Sequence, residues 1–210
     1  MEKLYVQYGC GLCAPDEWLN FDASPTLRIQ KLPLIEIILP RNVTFPANVK
    51  YGDIITGLPV NSASCDGVYC SHTLEHLSLV DFRKALKNTY DILKPGGIFR
   101  CIVPDLEHSA RNYISALDKG VGDTSSITFM SETMLGLKER PRGVKNIISR
   151  LMGNANHLWM WDSKSLISEL KNVGFTNVRI CKYNDSGDAM FQYVEDPNRF
   201  IHSVAVHCTR

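Results

Sequence analysis

Near the middle of the chain, two apolar runs bracket one amphipathic stretch, and this arrangement restricts the fold more than any other feature. Asp66-Gly67-Val68-Tyr69-Cys70-Ser71 reads as a strand. Ile98-Phe99-Arg100-Cys101-Ile102-Val103 is a nearly continuous apolar run that stops at Pro104, the pattern of a strand buried on both faces. Between them Leu79, Phe82, Leu86 and Leu93 share one face of a helix that Lys94-Pro95-Gly96-Gly97 ends. Strand, helix and strand in that order make a right-handed βαβ unit with parallel strands.

The same alternation runs along most of the chain. Lys3 to Tyr8 is aromatic and β-branched and stops at Gly9, Trp18 to Asp22 is a second short strand, and Asn48 to Asp53 a third. Leu27 to Leu39 is apolar with weak helical spacing, kinked or broken at Pro33. A helix is predicted over Leu106–Leu117. Another is predicted from the Asp162/Ser163 cap through Leu166, Leu170 and Val173 to the stop at Gly174. Thr176 to Tyr183 and Ser203 to Thr209 read as closing strands. The economical fold is α/β, a mostly parallel sheet with helices on both faces, in one domain over residues 1–210. Residues 119–156 break the rhythm and read as an insertion, either a lid over a site or a solvated excursion.

Composition narrows the function. Lys and Arg number 23 against 22 Asp and Glu, a formal net charge of +1, which removes the electrostatic case for a nucleic-acid or anionic-membrane binder. Leu32 to Leu39, the longest apolar stretch, is too short to span a bilayer. Seven scattered cysteines and no secretory pattern at Met1-Glu2-Lys3 predict a reduced, cytoplasmic protein.

Ligands in such sheets lie at the carboxyl ends of the strands, so the residues just beyond each strand are the candidates. Gly9-Cys10-Gly11 follows the first, where missing Cβ atoms let a ligand approach the backbone. Asp22, with Ala23 beside it, follows the second, a position suited to ribose hydroxyls, or alternatively a turn cap before Pro25. Asp53 and Ile54 follow the third and suit an adenine amino group and ring. Ser71-His72-Thr73-Leu74-Glu75-His76-Leu77 follows the fourth and Pro104-Asp105 the fifth. With no Gly-Lys-Ser/Thr phosphate loop, the expected ligand is a nucleoside without a phosphate chain.

Tyr8-Gly9-Cys10-Gly11, Phe21-Asp22, Gly52-Asp53, Ser71-His72-Thr73-Leu74-Glu75-His76-Leu77, Leu93-Lys94-Pro95-Gly96-Gly97 and Val103-Pro104-Asp105-Leu106 resemble class I S-adenosylmethionine-dependent methyltransferases. The likeness is to short type-11-like members, often predicted to act in surface-glycan pathways, and His157-Leu158-Trp159-Met160-Trp161-Asp162 is similar to their late segment. The resemblance implies a seven-stranded Rossmann-like sheet, S-adenosylmethionine as cofactor and a small-molecule or saccharide acceptor. By residue, it implies a cofactor site with Gly9, Cys10 and Gly11 at the methionine moiety, Asp22 and Ala23 at the ribose, Asp53 and Ile54 at adenine, and Ser71 and His72 beside the cofactor where the acceptor enters. Two positions depart from the pattern: Gln7 stands where the family usually has an acid, and the third loop glycine is absent. Asp22 also follows Gly9 by too few residues for a helix between the first two strands.

Three residues are candidates for the chemistry. His72 or His157 could deprotonate an acceptor hydroxyl, and Asp105 could meet the acceptor or simply cap the following helix. Trp159 and Trp161 read as core or rim packing rather than a sugar platform. Other readings compete. His72-Thr73-Leu74-Glu75-His76 fits the H-x-x-E-H pattern of zinc hydrolases, which needs a helix and a third ligand downstream; emerging from a strand, it is expected to hold no metal. Cys10-Gly11-Leu12-Cys13 matches C-x-x-C but leaves little room for the helix that thiol oxidoreductases place there. A non-catalytic adenosyl-binding module is the remaining alternative, motivated by the altered loop.

Overall fold

The computed structural model describes residues 3–30, 44–137 and 156–210. Among them β1 (Tyr5–Tyr8), β2 (Leu19–Asp22), β3 (Val49–Tyr51), β4 (Cys65–Ser71), β5 (Leu93–Pro104), β6 (Thr176–Ile180) and β7 (Ser203–Thr209) form one sheet, in the order β3-β2-β1-β4-β5-β7-β6. The first five strands are parallel, and β7 runs antiparallel to both β5 and β6. The strand order therefore reverses at β1, which has β2 on one side and β4 on the other. The helices are α1 (Pro25–Gln30), α2 (Leu79–Ile92), α3 (Leu106–Asp118), α4 (Ser125–Glu132) and α5 (Ser163–Val173).

This is the α/β, mostly parallel seven-stranded sheet that the sequence predicts, and the central βαβ unit is β4, α2 and β5. Val6, Tyr8, Val68, Cys70, Phe99 and Cys101 turn to one face and bury Phe82 and Leu86 of α2 and Leu166 and Leu170 of α5. The helix expected to reach Leu93 and stop at Lys94-Pro95-Gly96-Gly97 ends at Ile92, and those residues already belong to β5. The Ser78 hydroxyl accepts from Asp81 N at the start of α2, and the Asp162 carboxylate accepts from Lys164 N and Ser165 N at the start of α5. Gly174 closes α5 with φ +114, a left-handed turn that costs glycine little. The predicted strand to Tyr183 stops at Ile180, and only the Pro25–Gln30 part of the expected Leu27–Leu39 helix lies within the described residues. Of the predicted insertion, 119–137 form a short 3-10 turn (Gly122–Thr124) and α4, which rests on α3 with Phe129 5.6 Å from Tyr113; 138–155 lie outside the described residues.

The second face is closed in an unusual way. As the spacing predicts, no helix separates β1 from β2. Tyr5, Trp18, Tyr69 and Ile102 are covered there by Phe191 and Val194, from a 3-10 turn (Ala189–Tyr193) in the β6–β7 connection and the residue after it. Two buried amides hold the short β1–β2 loop. Gln7 Nε2 donates to Cys13 O at 2.8 Å and to Asn20 Oδ1 at 2.5 Å, while Asn20 Nδ2 donates to Pro15 O and Trp18 O, both at 2.9 Å. Gln7 thus supplies hydrogens to two atoms that can only accept, which explains why the family's usual acid is missing: a carboxylate would face two lone pairs.

The β6–β7 connection is tied to the sheet by Arg100, buried in the middle of β5. Its guanidinium donates to Glu195 Oε1 (2.6 Å), Asp185 Oδ1 (2.8 Å) and Lys182 O (2.9 Å), and lies 3.3 Å from His207 Nδ1 on β7. Burial, with the charges of Arg179 and Arg100, pushes His207 down to about 4. Its neutral ring accepts from Arg100, and protonation would set two cations against each other.

Two outcomes follow. Restoring an acid with Gln7→Glu should destabilise the fold by about 2–3 kcal/mol in urea unfolding, through buried acceptors left unpaired, whereas Gln7→Met should cost less. A histidine whose folded pKa lies below its unfolded value near 6.5 takes up its proton more readily when unfolded, so its contribution is lost as pH falls from 6.5 toward 4. His207→Asn should accordingly shrink the stability lost between pH 7 and pH 4.5 by roughly 2 kcal/mol, measured as the difference between urea midpoints at the two pH values; an unchanged difference contradicts the Arg100–His207 contact.

Candidate active site

The carboxyl ends of β1 to β4 meet in two adjoining cavities that share Tyr8 and Gly9. Gly9 is the hinge of this arrangement. Its φ is +63, and a Cβ there would sit 2.0 Å from Thr73 Oγ1, so a side chain would drive the loops after β1 and β4 apart.

The larger cavity, about 390 Å³, is lined by Asp22, Ala23, Asp53, Ile54, His72 and His76 among others. The two acids that the sequence places after β2 and β3 therefore face one space. Each is fixed by the backbone of its own turn. Asp22 accepts from Ser24 N (2.7 Å) and Gly11 N (3.0 Å), and Asp53 accepts from Ile55 N (2.9 Å). Asn88 of α2 holds the loop after β3 by donating to Ile54 O at 2.7 Å and Ile55 O at 3.1 Å. Each carboxylate oxygen has a second lone pair, so both acids can still accept from a ligand hydroxyl or amine.

The smaller cavity, about 190 Å³, is lined by Gly9, Cys10, Tyr69, Ser71, Asp196 and Arg199 among others. Ser71 Oγ and Tyr69 Oη are buried there without a partner of ordinary hydrogen-bond geometry, which is costly unless a polar ligand meets them. The Arg199 side chain has no ion-pair partner among the described residues. Arg199 was not legible in the sequence: it stands in a polar loop, on a 3-10 turn (Pro197–Phe200) that only the fold carries back to the β1 end.

The remaining predicted residues are distributed differently. Gly11 lines neither cavity; its N–H positions Asp22. Asp105 caps α3 by accepting from Glu107 N at 2.8 Å and also lines neither cavity, so of its two expected roles the geometry matches the cap. Trp161 is core, tilted against Phe82 with ring centroids 4.2 Å apart, whereas Trp159 is exposed. Cys10 and Cys13 are free thiols, and burial pushes Cys10 up to about 12, the opposite of the lowered value that activates a redox cysteine.

His72 and His157 converge instead on Glu75. His72 is held at φ +50, a left-handed conformation that strains a residue with a Cβ, and its ring donates from Nε2 to Arg199 O at 3.0 Å. Its Nδ1 then faces Glu75 Oε1 at 3.6 Å. His76 and His157 bring Nε2 to the same oxygen, each at 3.9 Å. The 3-10 turn Leu74–His76 carries Glu75, and Glu75 O accepts from Leu158 N (2.7 Å) and Trp159 N (3.1 Å), which straps the His157 segment over it. Neither oxygen of the buried Glu75 carboxyl has a hydrogen-bond partner, and burial pushes it up to about 8. Burial likewise holds His72 and His157 below the usual imidazole range. The H-x-x-E-H segment is thus no hydrolase helix, since α2 begins only at Leu79, but its side chains do gather around one point.

Comparison with known proteins agrees with this frame. A methyltransferase-domain family matches residues 13–180. Solved S-adenosylmethionine-dependent methyltransferases share the fold. One from Archaeoglobus fulgidus is 15% identical with a TM-score of 0.50, over 99% of this chain and 86% of that one. Another, a possible histamine N-methyltransferase from Thermotoga maritima, is 17% identical with a TM-score of 0.52, over 100% and 83%. A curated relative, the uncharacterized protein YBR225W of Saccharomyces cerevisiae, is 30% identical over 122 residues, 58% of this chain but only 13% of the yeast protein. With sheet order, strand-end residues and family match in agreement, the chain belongs to the methyltransferase-domain family.

Proposed function

We propose that the protein transfers a methyl group from S-adenosylmethionine to an oxygen or nitrogen of a small-molecule or glycan-precursor acceptor. One observation carries this reading. Two cavities joined at Gly9 offer two fixed acids on one side, and an arginine with two buried hydroxyls on the other. Those donor sets suit the two halves of a single molecule, an adenosine and an amino acid. Asp22 would accept from the ribose hydroxyls, Asp53 from the adenine amino group with Ile54 against the ring, and Arg199 would pair with the methionine carboxylate.

When bound, S-adenosylmethionine supplies a methyl carbon already activated by its sulfonium, so the chain's task is alignment and desolvation. Gly9 brings the backbone close to the junction of the cavities, and His72 lines the larger one while His157 and Asp105 do not. For a hydroxyl acceptor, His72 is therefore the base assigned to the proton. Leu158, Trp159 and Arg83 line an open groove of about 510 Å³ that begins one residue beyond His157, and an exposed indole there suits the apolar face of a saccharide. The altered glycine loop does not favour a non-catalytic module, since Gln7 is accounted for by the β1–β2 turn it holds. All seven cysteines are free, in keeping with a reducing, cytoplasmic setting, and no helix among the described residues is long and apolar enough to cross a membrane.

Transfer of a labelled methyl group from S-adenosylmethionine to a panel of hydroxyl and amine acceptors tests the activity. The halves of the site separate by calorimetry. Asp22→Ala should weaken both S-adenosylhomocysteine and methylthioadenosine by about 10- to 100-fold, the range for a lost charged hydrogen bond. Arg199→Ala should weaken S-adenosylhomocysteine by about fivefold and leave methylthioadenosine, which lacks the amino-acid half, unchanged; equal loss of both ligands would remove Arg199 from the assignment. With a hydroxyl acceptor, His72→Asn should lower kcat by about 100-fold or more with S-adenosylhomocysteine affinity retained.

A further inference from the structure

We propose that Glu75, His76 and His157 form a binding site for a divalent transition-metal ion of the zinc class. One ligand atom from each lies within 4.8 Å of the others, drawn from segments about 80 residues apart in sequence. Zinc binds nitrogen and oxygen at about 2.0–2.1 Å, which puts neighbouring donors about 3.4 Å apart in a tetrahedral shell. The observed 3.9 Å from Glu75 Oε1 to each Nε2 closes to that value by small side-chain rotations.

Three further observations point to an ion rather than to packing. Both oxygens of the almost wholly buried Glu75 carboxyl are without a hydrogen-bond partner, an arrangement a fold keeps only where something else satisfies the group. His76 Nδ1 lies 3.1 Å from Asn156 O; a carbonyl can only accept, so Nδ1 carries the hydrogen and the Nε2 lone pair is turned toward Glu75. A backbone carbonyl fixing the ring in this way is the usual support of a ligating histidine. The His157 segment is also pinned at both ends of the residue, by His157 N to Met134 O at 3.2 Å and Leu158 N to Glu75 O at 2.7 Å, so the third donor is held in place by the turn that carries the other two.

A plain histidine–carboxylate pair accounts for less. Such a pair closes one contact to about 2.8 Å, whereas here three imidazoles surround one oxygen at 3.6–3.9 Å and none hydrogen-bonds it. Two imidazoles and a carboxylate favour zinc, cobalt or iron(II) over the oxygen-seeking magnesium and calcium. Three protein ligands leave a coordination position open, as in sites that meet substrate rather than merely stabilise a fold. His76 also lines the larger cavity, which puts the ion at its edge.

The test needs no methyl donor, so its outcome is separate from that of the methyltransferase reading. Full-length chain stripped with a chelator is titrated with Zn²⁺ by calorimetry and with Co²⁺ by visible absorption. One equivalent of each ion should bind with micromolar or tighter affinity, and the Co²⁺ spectrum should lack a thiolate charge-transfer band. His76→Ala and His157→Ala should each weaken Zn²⁺ by about 100-fold or more, and Cys10→Ser/Cys13→Ser should leave it unchanged. Circular dichroism confirms folding; because His76 is partly exposed, its variant decides the matter should His157→Ala unfold. Folded wild-type chain that binds no Zn²⁺ below millimolar concentration overturns the proposal. So does affinity unchanged in the histidine variants, or a thiolate band lost with the cysteine variant.

Discussion

The site depends on the reversal of strand order at β1. With β2 on one side and β4 on the other, the residues after β1 stand at the point where the strand order reverses, the place where open α/β sheets hold their ligands. The loops after β1 and β4 then come so close at Gly9 and Thr73 that a single methyl group would part them. Ser71 and His72 stand beside that contact at the end of β4, while Asp22 and Asp53 are held by backbone N–H groups of the loops around them. The acids need no special chemistry to point inward: the turns that bind their carboxylates are the turns that end the strands.

A second constraint follows from the short link between β1 and β2. A helix in that link would cover the second face of the sheet, and its absence leaves Tyr5, Tyr69 and Ile102 to be buried by other means. The β6–β7 connection takes over, anchored by Arg100, and in folding back it delivers Arg199 to the end of β1. Loss of a helix at one point and gain of a basic side chain at another are thus one structural event. The amides of Gln7 and Asn20 are its third part, because a loop too short to hydrogen-bond itself needs side chains to satisfy its carbonyls.

Much of this was legible in the sequence, for physical reasons. The run Ile98 to Val103 could only be a strand covered on both sides, and the helical spacing from Leu79 to Leu86 could only bury one face, so the parallel unit and the register of its ends followed. Asp22 and Asp53 were legible because a strand end fixes where a residue goes. Arg199 was not, since a 3-10 turn in a polar loop has no periodicity and its segment is tied to the sheet by a buried ion pair between Glu195, four residues before it, and Arg100, far earlier in the chain. The H-x-x-E-H segment was visible, but not what it does: sequence spacing shows two histidines near a glutamate, whereas the approach of His157 is a tertiary fact. Asp105 shows the converse, a residue at the right strand end whose carboxylate is used by the helix that follows.

The central claim is that the two cavities hold the two ends of one molecule. A crystal structure of the protein with S-adenosylhomocysteine tests it most directly. The account predicts ribose hydroxyls on Asp22, the purine beside Asp53 and Ile54, and the amino-acid carboxylate on Arg199. A nucleoside lodged elsewhere, or an amino-acid end turned away from the Gly9–Ser71 cavity, would contradict it.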